Sequence, residues 1–286
     1  MLLTDIDILS FDLETTGKDA QKDWVVELGL TTFSKGVSGK GTRGLFNPGI
    51  SIDPEAAEVH KITDDMVVEK PSFSTKLDGF RAYAKKFDLV IGYNCLGFDV
   101  PIVNRESERA GGSWIMEDDL KILDVKLFVD WHHRGERPRT QEAMAELYGL
   151  KFDGRAHSAA ADTKMTGELM FAMVKAGKIP SDVDEALKLQ QEYREIVEGE
   201  FAKWSYWVFR DRETSRLRMG AGKHCGKLLS DINKRTLSWY LNNIDDLTKD
   251  VRAAFEDARA GRFDNELQKS MVDVEEKAVD TEWGGW

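Results

Sequence analysis

The sequence predicts an α/β layered domain followed by a smaller α+β module. Two observations support this prediction. Strand-like segments come first along the chain and then alternate with helical segments over residues 1–178, which is typical of layered α/β domains. The chain has 286 residues, of which 41% are hydrophobic, so it is long enough for one domain of about 150–200 residues and a second, smaller one.

Four segments of the first domain have the composition of β-strands. Residues 5–16 and 24–36 are rich in apolar and β-branched residues. Residues 42–49 end in the turn signal Asn-Pro-Gly, and residues 89–94 are a short apolar run. We expect the first three strands to form a meander.

Five segments of the same domain show helical patterns, in which apolar residues recur at a spacing of three and four. Ser158 is expected to cap the last of these helices. Gly149 and Gly177 are expected to stop the fourth and the fifth. The predicted helices cover residues 54–63, 73–87, 99–111, 139–150 and 158–177.

A charged helix over residues 180–204 is expected to connect this domain to the second module. Beyond it, the sequence predicts a β-hairpin at residues 204–220 and short helices at 234–244 and 247–261. The predicted division of the chain is therefore an enzyme-sized domain at 1–178, a connector at 179–205, an accessory module at 206–270 and an acidic tail at 271–286.

Charge is sorted along the chain. The net charge of −11 argues, taken alone, against a partner as negative as nucleic acid. However, residues 216–235 carry a local net charge of +5, whereas residues 271–286 hold five acids and one lysine. We expect the tail to be either a flexible end or a docking peptide for a basic pocket.

Cysteine usage and the N-terminal residues indicate the compartment. Cys95 and Cys225 are the only cysteines and form no C-x-x-C pair, so the sequence encodes neither a disulfide framework nor a zinc ribbon. The first ten residues lack the positive region of a signal peptide, and no apolar run approaches the roughly 18 residues of a membrane span. We expect a cytoplasmic protein.

The segment ILSFDLETTG, residues 8–17, ends a predicted buried strand with two carboxylates. Alternate residues of a strand share a face, so Asp12 and Glu14 project together, and charges of the same sign repel unless a cation lies between them. Oxygen ligands without thiolates select Mg²⁺ or Mn²⁺. The alternative is a solvated pair on an exposed strand, and the pair by itself does not decide between the two.

Two further segments extend the pattern. Asp99 follows the predicted strand at residues 89–94, and in AHSAAAD His157 precedes a helix that carries Asp162 in its first turn. Asp-x-Glu, Asp and His-x-Ala-x-x-Asp, in this order, resemble the motifs of the DnaQ-like, or DEDDh, 3′ to 5′ exonucleases. The resemblance covers about residues 5–175, and it is carried by the segments FDLETTG, NPGISIDPEAAEVHKITDDMV, YNCLGFDVPIV and GRAHSAAADT.

The resemblance implies an RNase H-like fold, in which helices flank a mixed central sheet, and a two-metal hydrolysis of phosphodiester bonds. It implies that Asp12, Glu14, Asp99 and Asp162 hold two Mg²⁺ or Mn²⁺ ions. It also implies that His157 is the general base that takes a proton from the attacking water. Out of context, His157 is an ordinary loop histidine, and Asp99 and Asp162 are acids that favour helix N-termini.

The resemblance also implies substrate contacts. The small residues that follow the acidic pair are Thr15, Thr16 and Gly17. They would let the backbone approach the terminal nucleotide, and the alternative is that they form a simple turn. His60 and Asn94 match positions that line the groove, with a structural hydrogen bond as the alternative. Gln141 stands where the family usually has leucine, and this difference is expected to affect packing rather than chemistry.

Residues 219–257 resemble the C-terminal module of exodeoxyribonuclease X, with a Gly-Lys-x-x-Gly-Lys turn before a Trp-containing helix. The usual Pro-Phe-Gly lead-in is replaced by Gly-Ala-Gly. We expect Lys223 and Lys227 to contact a DNA backbone, beside three tryptophans that stack on bases: Trp204, Trp207 and Trp239. The alternative is that the tryptophans are core and the lysines a solvated face.

The predicted function is a 3′ to 5′ exonuclease that releases nucleoside 5′-monophosphates, and the second module's resemblance favours DNA as the substrate. The alternatives are a proofreading subunit whose second module binds a polymerase, an RNA-trimming exoribonuclease, and a non-catalytic binding protein on the same fold. Expected partners are a nucleic acid with a free 3′ end and, beside it, a polymerase or a single-strand-binding protein.

Overall fold

The computed structural model describes residues 1–136, 138–151, 158–211 and 214–262. The chain divides into two compact units. The first unit comprises Met1–His132 and Pro138–Arg194, and the second comprises His133–Arg137 and Glu195–Trp286.

A mixed β-sheet forms the centre of the first unit. Its strands are β1 Asp7–Thr15, β2 Val25–Ser34, β3 Val37–Ser38, β4 Thr42–Leu45, β5 Leu89–Gly92 and β6 Ile122–Asp124. The order is β3-β2-β1-β5-β6, and β4 also pairs with β2. β1 runs antiparallel to β2 and parallel to β5, which in turn is parallel to β6. The predicted meander of β1, β2 and β4 is confirmed.

Helices cover both faces of this sheet. They are α1 Pro54–His60, α2 Asp64–Val67, α3 Leu77–Ala84, α4 Asp99–Arg109, α5 Met116–Asp119, α6 Val125–His132, α7 Gln141–Leu147, α8 Ala159–Lys175 and α9 Val183–Trp204. Side chains of β1 alternate between two cores, because Ile8 points to one face and Leu9 and Phe11 to the other. The first core is completed by α6 to α9 and the second by α3 to α5.

The first half of α9 belongs to the first unit rather than to a connector. Val183, Ala186 and Tyr193 lie in the core beneath the sheet. The side chain of Gln190 accepts a hydrogen bond from the Asp124 amide at 2.6 Å and donates one to the Ile122 carbonyl at 2.9 Å. These two bonds pair backbone groups on the edge of β6 that faces α9. The prediction that residues 179–205 act as a connector is therefore corrected for this half.

The second unit contains a short hairpin and two helices. β7 Val208–Arg210 pairs antiparallel with β8 Leu217–Met219, and the helices are α10 Lys234–Asn243 and α11 Lys249–Ala260. Asn233 caps α10 and Thr248 caps α11 through their side-chain oxygens. The predicted hairpin and both predicted helices are confirmed.

Residues 263–286 lie outside the described residues, so the acidic tail at 271–286 stays a prediction. Within the described part of the chain, no helix combines the length and the apolar character needed to cross a membrane.

Candidate active site

Three carboxylates meet at the end of β1. Asp12 and Glu14 project from the same face of the strand, and Asp162 comes from the first turn of α8. One oxygen of each side chain lies within 4.8 Å of one oxygen of the other two. The structure thus brings together three of the four acids that the sequence motifs predict as metal ligands.

The position of Asp162 depends on how α8 begins. The Ala159 amide donates to Glu27 Oε2 on β2 at 3.3 Å. Gly29 lies so close to this turn that a Cβ atom there would stand 2.4 Å from the Ala159 backbone, so only glycine permits the approach. Ser158 was expected to cap the helix, but its side chain makes no capping hydrogen bond. The carboxylate of Glu27 occupies that role instead.

Glu27 is a buried acid beside the site that no sequence motif indicates. Its side chain is fully buried, it pairs with Arg43 of β4 at 2.9 Å, and its residue faces Glu14 across the β1–β2 register. Its negative charge contributes to raising the pKa of both Asp12 and Glu14. The only sequence signal is a lone acid inside the apolar strand VVELGL.

Asp99 lies beside the three carboxylates without belonging to their group. It is buried at the first residue of α4, and its Oδ1 accepts the Leu13 amide at 2.9 Å. Leu13 is the residue between the two acids of β1, so this hydrogen bond fixes Asp99 against the strand at the site. Its proximity is also visible in its effect on Asp12, whose pKa it raises.

The site brings several carboxylates together in a partly buried place. Burial, and then the neighbouring carboxylates, raise the pKa of Asp12 well above its ordinary value and that of Glu14 to about 8. Burial likewise raises the pKa of Asp99 to about 7. A set of hard oxygen donors that repel one another is what a divalent cation such as Mg²⁺ or Mn²⁺ stabilises. The residues present therefore fit a divalent metal.

Asp124 anchors the loop that leads to Asp99. Its carboxylate accepts the backbone amides of Asn94 at 2.8 Å, Leu96 at 3.0 Å and Lys126 at 2.9 Å, and burial raises its pKa to about 6. Asn94 is exposed and adopts a φ of 68°, a left-handed conformation that asparagine tolerates better than most residues. No sequence motif indicates Asp124.

The turn after the acidic pair is held by its own side chains. Thr15 Oγ1 donates to the Gly17 carbonyl at 2.6 Å, and Thr16 Oγ1 donates to Asp23 Oδ1 at 2.8 Å. His60 Nδ1 accepts the Ile62 amide at 3.0 Å, which leaves Nε2 to donate to the Thr15 carbonyl at 3.2 Å. These bonds match the structural alternatives, and the predicted substrate contacts of these residues stay predictions.

Gln141 contacts the backbone of a predicted metal ligand. The side chain is buried, and its Nε2 donates to the Asp162 carbonyl at 3.0 Å and to Thr166 Oγ1 at 2.6 Å. The expectation that this position affects only packing is corrected, because a leucine has no group that makes these two hydrogen bonds.

The remaining predicted site residues are His157, Lys223 and Lys227. His157 is outside the described residues, so its role as general base stays a prediction. Lys223 and Lys227 belong to the second unit, where both are exposed in or beside the turn that precedes α10.

A family model and two known proteins match the first part of this chain. Residues 9–170 match the RNase T family model, which is described as an exonuclease. The DNA polymerase III subunit epsilon of Treponema pallidum (strain Nichols) is 36% identical over 168 residues, which are 58% of this chain and 75% of that protein. The PolC-type DNA polymerase III of Lacticaseibacillus paracasei is 27% identical over 175 residues, which are 60% of this chain but 12% of that protein.

A solved structure extends the comparison to the fold. E. coli exonuclease I in complex with a dA16 oligonucleotide superposes with a TM-score of 0.55 at 14% identity, over 95% of this chain and 71% of that one. At this identity the similarity concerns the fold. Together with the mixed sheet and its two helical layers, it confirms the predicted RNase H-like α/β architecture.

Proposed function

The chain belongs to the 3′ to 5′ exonuclease family whose model its residues 9–170 match, and on that premise we propose that it is a DEDDh-type enzyme that shortens DNA from the 3′ end. The products would be nucleoside 5′-monophosphates. The observation that carries this proposal is the meeting of Asp12, Glu14 and Asp162 within 4.8 Å at the end of β1.

These three carboxylates, with Asp99 as the fourth, would hold two divalent cations, Mg²⁺ or Mn²⁺. Bound cations supply positive charge at the scissile phosphate and at the attacking and leaving oxygens. The chain's own contribution is to fix the four carboxylates before substrate arrives. Glu27 and Gln141 hold the turn of α8 that carries Asp162, and the Leu13 amide holds Asp99.

His157 would accept the proton that the attacking water releases. Its motif places it five residues before Asp162, and an unperturbed imidazole has a pKa of about 6.5, which suits a base at neutral pH. The turn of Thr15, Thr16 and Gly17 would position the terminal nucleotide through its backbone. His60 would act by holding the Thr15 carbonyl, and Asn94 would line the groove from its exposed position after β5.

DNA is the proposed substrate. The 36% identical relative is a subunit of a DNA polymerase, and the exonuclease I structure contains a deoxyadenosine oligonucleotide. The resemblance of residues 219–257 to a deoxyribonuclease module points the same way. The relative also favours a second candidate function, proofreading as a polymerase subunit. A polymerase or a single-strand-binding protein would then be the partner, and stable co-purification with a polymerase is the observation that distinguishes this role.

The proposal is tested with 5′-labelled single-stranded DNA, duplex DNA and RNA of one sequence, each incubated with and without Mg²⁺. We expect a ladder that shortens from the 3′ end, faster on DNA than on RNA, and no digestion in EDTA. Asp12→Asn should abolish the ladder. The matched control is Asp7→Asn, which makes the same change on an exposed residue about 16 Å along the same strand.

Two results would contradict the proposal. Digestion at an unchanged rate by the Asp12→Asn variant would exclude the carboxylates from the reaction. Products that begin at the 5′ end, or fragments from internal cleavage, would exclude an exonuclease with 3′ polarity.

A further inference from the structure

Four aromatic side chains of the second unit touch one another in a row, which we call the aromatic row. The ring centroids of Tyr206 and Trp207 are 5.0 Å apart, those of Trp207 and Tyr240 are 5.7 Å apart, and those of Tyr240 and Trp239 are 5.4 Å apart. The row therefore joins the residues before β7 to the middle of α10. Tilted and edge-to-face contacts of this kind fix ring orientation.

The two ends of the aromatic row are exposed while its middle is buried. Trp239 is 54% exposed and Tyr206 is 45% exposed, whereas Tyr240 lies in the core of the unit. Trp204, which the sequence grouped with the other tryptophans, is also part of that core. The outer rings are thus packed against the core of the unit while remaining about half exposed, so they are accessible to a partner.

A basic turn adjoins the buried middle of the row. Gly222 has a φ of 70°, and a Cβ atom there would stand 2.9 Å from the Tyr240 hydroxyl, so the turn packs directly against this ring. Lys223 and Lys227 flank His224 on this turn: burial first, and then their two charges, lower the pKa of His224. Among the described residues, neither lysine has a carboxylate oxygen within 4.0 Å.

α10 adds a third cation to the same surface. Arg235 and Trp239 are separated by four residues on α10, so they lie on one face of the helix, about 5–6 Å apart at Cβ. Asp246 contacts the exposed end of the aromatic row, where its Oδ2 accepts the Tyr206 hydroxyl at 3.2 Å. The turn therefore carries two cations beside Tyr240, and α10 carries a third cation beside the exposed ring of Trp239.

We propose that the aromatic row and the basic turn form a docking surface for single-stranded DNA. Phosphates would lie against Lys223, Lys227 and Arg235, and an unpaired base would stack on Trp239. Single strands are favoured over duplex because bases in a duplex are already stacked and present only their edges. A nucleic acid supplies both a base for the exposed ring and phosphates for the cations, and this combination favours it over a protein partner. The proposal concerns binding and stands independently of the hydrolysis proposed above.

The stacking part is tested by fluorescence anisotropy with the full-length chain in EDTA, so that no hydrolysis occurs. The probes are a labelled oligo(dT) and an abasic oligonucleotide of the same length. Trp239→Ala should weaken oligo(dT) binding by about 5- to 100-fold and leave abasic binding unchanged. Trp239→Phe keeps a ring and should restore most of the affinity. Equal loss on both probes, or no loss on either, would overturn stacking.

The electrostatic part uses Lys223→Gln/Lys227→Gln and the salt dependence of oligo(dT) binding. Removing two phosphate contacts should reduce the slope of log K against log [salt] by about 1.4. The matched control is Lys175→Gln/Lys178→Gln, because Lys175 lies about 20 Å along α8 from Asp162 and its removal should leave the slope unchanged. Circular dichroism checks that each variant is folded.

Equal slopes for the lysine variant and the control would overturn the docking surface, and in that case the unit's exposed rings would be assigned to a protein partner. Failure of the exonuclease assay would leave all of these binding results valid, since they are measured without catalysis. The two proposals therefore fail separately.

Discussion

Two carboxylate sites in the first unit differ in their electrostatic surroundings. At the active site, Asp12, Glu14 and Asp162 face one another, and burial followed by mutual repulsion raises the pKa of Glu14 to about 8. Asp119, on α5, instead lies 3.1 Å from Lys85 Nζ and 2.7 Å from Arg81 Nε. Hydrogen bonds from Lys85 first, and from Arg81, lower its pKa.

The difference shows how structural and functional acids can be told apart. An acid that the fold uses for stability is placed beside a cation, as Asp119 is. Acids that lie close together without such a partner lower the free energy of unfolding, and groups whose pKa values are raised in this way cluster at functional sites. A bound divalent cation would reduce the repulsion and so stabilise the ionised form of the site.

The largest effect expected from this comparison is on catalysis. Asp162→Asn should lower the rate of DNA digestion by about 10³-fold or more, because a lost ligand removes several kcal/mol of charge stabilisation at the phosphate. Asp119→Asn should leave the rate within about twofold. Both rates are measured on labelled single-stranded DNA at saturating Mg²⁺. Equal losses in the two variants would show that the contrast between the sites has no functional meaning.

The next prediction distinguishes residues that bind the metal ions from the residue that accepts the proton. His157→Ala should lower the rate by roughly 10²-fold, which is typical of a lost general base, and should flatten the rise of rate with pH around the imidazole pKa. Affinity for Mg²⁺ should change little, in contrast with Asp162→Asn. His133→Ala, which removes a histidine from the second unit, is the control. An unchanged rate and pH profile would show that His157 takes no part in the reaction.

A third prediction concerns stability, and here the two sites are expected to respond to pH in opposite directions. Glu14 has a folded pKa of about 8 against an ordinary value of 4.5, so its proton stabilises the fold below pH 4.5 and this stabilisation is lost as the pH rises towards 8. Asp119 has a lowered pKa, so its contribution is present above its ordinary pKa of 3.8 and is lost only as the pH falls through the lower folded value.

Thermal unfolding in EDTA at pH 8 therefore should give shifts of opposite sign. Glu14→Gln should raise the Tm by at least about 2–4 °C, which corresponds to roughly 1 kcal/mol in a domain of this size, and Asp119→Asn should lower it slightly. Adding Mg²⁺ should stabilise the wild type more than Glu14→Gln. A fall in Tm for Glu14→Gln in EDTA would contradict the claim that the carboxylates repel one another.

Local patterns in the sequence were enough to predict the part of the site that lies on one strand. Period-two alternation placed Asp12 and Glu14 on one face, and the motif spacing pointed to Asp99 and Asp162. Glu27 was out of reach because its hydrogen bond to Ala159 spans 132 positions in the chain and depends on β2 packing against α8. Nothing local distinguishes such an acid from a solvated one.

The fold shows the same limit. The four strands and five helices with clear periodicity were predicted, whereas β6, with three residues, is too short to show a period. The sequence of α9 is rich in charged residues and contains only a few apolar ones, among them Ala186 and Tyr193, and this composition is typical of a solvent-exposed connector. The sequence does not show which part of the first unit these apolar residues pack against, because their contacts are with residues distant along the chain.

The smallest effect tests how tightly Asp162 must be held. Gln141→Leu preserves the volume of the side chain and removes two hydrogen bonds, but the Asp162 carbonyl still accepts from Thr166 Oγ1 at 3.0 Å. We expect a loss of about 1 kcal/mol or less in the free energy of unfolding and a rate within about threefold of wild type. Gln141→Ala, which also leaves a cavity, should cost about 2 kcal/mol or more. Urea unfolding and steady-state rates measure both. If the leucine variant lost activity as severely as Asp162→Asn while remaining folded, the hydrogen bond from Gln141 would be essential for positioning Asp162, and the remaining bond from Thr166 would not be sufficient.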